Sequence, residues 1–149
     1  MKIGIDLDNY PNPMEEWDNL LNTYGKDREI GYLKINPERV PVIISERKAT
    51  KYIEQHADQL YTFRVKDQRY EMFVESKGIN MPFNGERLIF FGNAYICRKQ
   101  GDANVALTMA EIEDFLAFCP EISLNPQDYS VDYIGILAFD YDAERGIYV

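Results

Sequence analysis

Residues 61–74 decide the fold: Tyr61-Thr62-Phe63-Arg64-Val65-Lys66-Asp67-Gln68-Arg69-Tyr70-Glu71-Met72-Phe73-Val74. Tyr61–Val65 and Tyr70–Val74 are short runs rich in aromatic and β-branched side chains, the composition of strands. The polar residues Lys66-Asp67-Gln68-Arg69 between them suffice for a hairpin loop. They are far too few for the crossover of about a dozen residues that parallel neighbours need. Antiparallel pairing is therefore expected here, and most other gaps between strands are equally short.

Downstream, Leu88–Cys97 is the most apolar segment, and Gly92-Asn93 in its middle predicts a bulge or bend. Gln100-Gly101-Asp102 turns the chain back into Val105–Leu107. Gly78-Ile79-Asn80 and Asn84-Gly85 read as turns. Thr108-Met109-Ala110-Glu111 is a Thr-x-x-Glu capping box. The helix it opens carries Met109, Ile112, Phe115, Leu116 and Cys119 on one stripe, and Pro120 ends it. Asn125-Pro126 marks a loop. Val131–Phe139 is apolar on both faces, as in a central strand. Ala143-Glu144-Arg145-Gly146 turns into a last strand, Ile147–Val149.

Upstream, Lys2–Leu7 alternates as a first strand. Asn12-Pro13-Met14-Glu15 reads as a helix start, with Asn12 as cap and Pro13 at the first helical position. Met14, Trp17, Leu20, Leu21 and Tyr24 share a face, and Gly25 is the stop. Ile30–Ile35 and Val40–Ile44 read as strands around the turn Asn36-Pro37-Glu38-Arg39, with Pro41 near a strand start or on an edge. Ser45 caps a second helix, in which Ala49, Tyr52, Ile53, Ala57 and Leu60 recur at helical spacing. Arg47, Lys48, Lys51 and Glu54 form its wet face. The sum is one α+β domain over residues 1–149, a mostly antiparallel sheet of about six or seven strands with three helices.

Composition narrows the function. The 149 residues are 46% hydrophobic and 28% charged, in the globular range. No stretch approaches the roughly 20 apolar residues of a membrane span, and the start lacks the apolar core of a signal peptide. Cys97 and Cys119, outside any Cys-x-x-Cys, suit buried thiols in the cytoplasm. Residues 1–99 hold 15 acids and 15 bases, whereas residues 100–149 hold ten acids and the single base Arg145, so the whole net charge of −9 lies in the last third. Such a chain repels phosphates, which argues against direct binding of nucleic acid. It suits either a solvated, solubilising face or attraction to a basic protein partner such as a nuclease or nucleic-acid-binding enzyme.

Tyrosines interleave with the acids of this third: Asp128-Tyr129, Asp132-Tyr133, then Asp140-Tyr141-Asp142. Tyrosine is favoured at recognition surfaces, bringing large area at low entropic cost. The helical wheel sets Phe118 between Glu111 and Asp114, away from the buried stripe, as an aromatic anchor rimmed by carboxylates. The expected partner-binding residues are Glu111, Asp114, Phe118, Asp128, Tyr129, Asp132, Tyr133, Asp140 and Asp142. Small acidic inhibitors share this composition: immunity proteins that neutralise nuclease toxins, and phage or plasmid proteins that imitate DNA charge.

Other chemistry has less material. Ile3-Gly4-Ile5-Asp6-Leu7-Asp8, a short apolar strand ending in Asp-x-Asp, resembles the opening of haloacid-dehalogenase-type phosphohydrolases. Over these ten or so residues the resemblance implies Asp6 as nucleophile, Asp8 as acid/base, and Mg²⁺ near both. That family has Thr or Val two positions after the second Asp, where Tyr10 stands here. A second Asp-x-Asp, Asp140-Tyr141-Asp142, would join the first in a hard-cation site if the terminal strands were neighbours. His56 is the only histidine, so no His–His pair exists, and a half-buried structural role is expected. No Gly-x-Gly-x-x-Gly or phosphate loop is present, and no cofactor is expected. The remaining expectation is a subunit of a larger assembly, marked by a large exposed apolar patch.

Overall fold

The decisive hairpin forms as its spacing requires. In the computed structural model, which describes residues 2–35, 40–65, 69–75, 79–83, 87–90, 93–118, 121–122, 136–142, 144 and 147–148, Leu60–Val65 (β5) pairs antiparallel with Tyr70–Glu75 (β6), from Leu60 opposite Glu75 to Val65 opposite Tyr70. The other elements are β1 (Lys2–Asp6), β2 (Met14–Glu16), α1 (Trp17–Tyr24), β3 (Glu29–Ile35), β4 (Val42–Ile44), α2 (Glu46–Gln55), β7 (Ile79–Phe83), β8 (Arg87–Phe90), β9 (Ala94–Gln100), β10 (Ala103–Val105), β11 (Leu107–Thr108), α3 (Met109–Phe118), β12 (Glu121–Ile122), β13 (Ile136–Asp142) and β14 (Ile147–Tyr148).

A nine-stranded sheet runs in the order β2-β1-β4-β3-β9-β6-β5, with β10 added to β9 and β11 to β3. Only β1 and β4 are parallel in it. A second, five-stranded sheet runs β12-β13-β8-β7, with β14 on β13, and is antiparallel throughout. The fold is α+β, with three α-helices and mostly antiparallel strands among the described residues.

Alternation along the strands sends side chains to two cores. Leu33, Met72, Val74 and Ile96 join Trp17 and Leu20 of α1 and Met109, Ile112 and Phe115 of α3 in the larger, mainly aliphatic core. Their strand neighbours Tyr32, Phe73, Tyr95 and Cys97 face the other way and pack with Ile44 and with Ala49 of α2. The β3–β4 contact is close at Gly31, where a Cβ would fall 2.3 Å from the Ile44 carbonyl oxygen, so no other residue fits.

Four local expectations are corrected. Asn12-Pro13 does not start a helix: the Ile5 N–H donates to the Pro13 carbonyl, Met14–Glu16 pairs with β1, and α1 begins only at Trp17. Leu88–Cys97 is not one bent strand: its halves belong to different sheets, β8 and β9. Of the turn expected at Gly78-Ile79-Asn80, Ile79 and Asn80 belong instead to β7, where Pro82 is tolerated on a sheet edge. The second helix also stops earlier, at Gln55; Ala57–Gln59 is a 3-10 turn and Leu60 already belongs to β5. The turn 36–39, the hairpin loop 66–68, Asn84-Gly85, Cys119-Pro120, Asn125-Pro126 and residues 131–135 lie outside the described residues.

Candidate functional site

The capping box closes in both directions. The Thr108 N–H donates to Glu111 Oε1 at 3.0 Å, and the Glu111 N–H donates to Thr108 Oγ1 at 3.2 Å. The other oxygen of Glu111 lies 3.3 Å from Arg98 Nε, and Arg98 also donates to Glu29 at 2.7 Å. One turn on, Asp114 Oδ2 accepts from the Tyr70 hydroxyl at 2.7 Å and faces Arg69 at 3.4 Å. Burial, reinforced by Asp114, pushes the Tyr70 phenol well above its ordinary value. Its ring meets Phe115 edge-on at 5.4 Å.

The sheet delivers the cations. Tyr70 stands opposite Arg98 in the β6–β9 ladder, and the Lys99 N–H donates to the Arg69 carbonyl at 3.2 Å. Arg69, Arg98 and Lys99 therefore share one end of the sheet. Lys99 reaches Glu71 at 2.7 Å, both side chains being largely buried. Between this end and α3 lies an open groove of about 450 Å³. Glu111 and Asp114 stand one turn apart on α3, and each is engaged by the protein's own cations. Arg69, Tyr70, Arg98 and Lys99 had no motif to mark them; their only signal was position at the ends of two strong strands.

The first Asp-x-Asp is arranged the opposite way round. Asp6 ends β1 opposite Ile44, and Ser45 begins α2 with its own N–H bonded to the Asp6 carbonyl. Ser45 Oγ caps the helix by accepting from the Lys48 N–H at 3.3 Å. The first turn then carries Arg47 and Lys48, cations at the end where the helix dipole disfavours them. Asp8 takes Arg47 in a two-pronged contact at 3.0 and 3.3 Å, and Asp6 pairs with Lys48. The Arg47 hydrogen bonds hold the Asp8 carboxyl below its usual range.

Strand β1 lies beside β2 and β4, and β13 beside β12, β8 and β14, so the two Asp-x-Asp pairs sit in different sheets. Among the described residues, no three His, Cys, Asp or Glu side chains gather at one point. His56 caps the C-terminus of α2, with Nδ1 2.9 Å from the Tyr52 carbonyl and its ring stacked on Tyr52 at 4.1 Å. Cys97 is buried and free, its thiol pushed up to about 12 by burial.

Of the other expected partner-binding residues, Phe118 is the last residue of α3. Asp140 stands opposite Arg87 in the ladder, and Asp142 opposite Ile147. Asp128, Tyr129, Asp132 and Tyr133 lie outside the described residues. The strands of the second sheet carry three acids, Glu121, Asp140 and Asp142, against the base Arg87. No described helix is long and apolar enough to cross a membrane. No family model matches the chain, and no curated protein or solved structure matches it.

Proposed function

We propose that the protein is a non-enzymatic binding module that occupies a basic site on another protein, in the manner of an inhibitor, an immunity protein or a DNA mimic. The segregation of charge carries this reading: ten acids against one base in residues 100–149. A surface of one sign steers an oppositely charged partner and speeds its association. The engagement of Glu111 by Arg98, and of Asp114 by Tyr70 and Arg69, moves the weight of recognition to the later acids. Those are Asp128, Asp132, Asp140 and Asp142, with Tyr129 and Tyr133 as aromatic contacts. The partner is a basic cytoplasmic protein of the nucleic-acid-handling kind.

The test is capture of partners from host lysate at low and at high salt. Wild type is compared with a variant carrying Asp128→Asn, Asp132→Asn, Asp140→Asn and Asp142→Asn. A basic protein retained by wild type at low salt, released by salt and lost with the variant supports the reading. Capture indifferent to both salt and the substitutions overturns it. A hydrolase using Asp6 and Asp8 would require its divalent cation to displace Lys48 and Arg47. Its signature would be a rise in melting temperature in millimolar Mg²⁺ that Asp6→Asn removes.

A further inference from the structure

We draw no further inference here: the strongest candidate, the cavity of about 240 Å³ between residues 24–30 and the start of α2, lined by Arg28 over the Tyr24 ring, carries nothing, because the Asp8 and Glu29 carboxylates beside Arg28 already pair with Arg47 and Arg98, and neither of the buried polar atoms without a hydrogen-bond partner among the described residues, on Glu71 and Arg98, lines it.

Discussion

The starts of α2 and α3 are electrostatic mirror images. At α2 the helix brings the cations, Arg47 and Lys48, and β1 and the loop after it bring the acids, Asp8 and Asp6. At α3 the helix brings the acids, Glu111 and Asp114, and the sheet brings Arg98 and Arg69. The α2 pairs are exposed, whereas the α3 contacts include a buried phenol and a largely buried Glu111. Beneath them the difference widens. Helix α3 inserts Met109, Ile112 and Phe115 into the larger core, and α2 fully buries only Ala49. Charge of similar count therefore does different work: at α3 it completes a docked helix, and at α2 it mainly neutralises an unfavourable helix end.

The sharpest way to break this contrast is to truncate the docking side chains. Phe115→Ala should destabilise the protein by about 3–5 kcal/mol in urea unfolding, because it leaves a cavity in the larger core. Tyr52→Ala on α2 removes a half-buried ring and should cost less; equal losses would sink the contrast. Next come the caps. Thr108→Ala and Ser45→Ala should each cost about 1 kcal/mol. Thr108→Ala should be the more damaging, since its box also positions Glu111 for Arg98; the reverse order would show that the box adds nothing.

Alkaline pH tests the same helix from the Tyr70 side. Its folded pKa is raised above the ordinary 10.0, as are those of Tyr32 and Tyr95. The stability this contributes is complete below the ordinary value and is lost as pH rises through the folded one. Unfolding followed between pH 9 and 12 should show that loss, shallower in Tyr70→Phe. The smallest effect belongs to Asp8. Its lowered pKa gives stability that is present above the ordinary carboxylate value and lost as pH falls through the lowered one. The Arg47–Asp8 pair is exposed, so Asp8→Asn should lie within the scatter of a denaturant titration, even at low salt.

Much of the fold was legible wherever a local signal and a tertiary contact agree. The 61–74 hairpin, the Ser45 cap, the Thr108 box and the turn at Gly101 are of that kind. The signal at Asn12-Pro13 was genuine but lost to strand pairing with β1, which satisfies more backbone groups than a cap does. Leu88–Cys97 hid a change of sheet because an apolar run looks alike whether one sheet or two bury it. The acids were legible as residues and not as charges. Nothing in the order of residues 69–114 says that Arg98 meets Glu111, or that Arg69 faces Asp114.

The division of β8 and β9 between sheets has a consequence for synthesis. The β7–β8 hairpin is complete in sequence at Phe90, but its inner neighbour β13 spans Ile136–Asp142. At ordinary elongation rates of roughly 5–20 residues per second, the apolar edge Leu88-Ile89-Phe90 waits on the order of seconds for that neighbour to emerge. An unpaired strand edge is a template for pairing with another chain. The nascent protein therefore carries an open β8 edge, available for mispairing with a neighbouring chain on a polysome, until β13 has emerged.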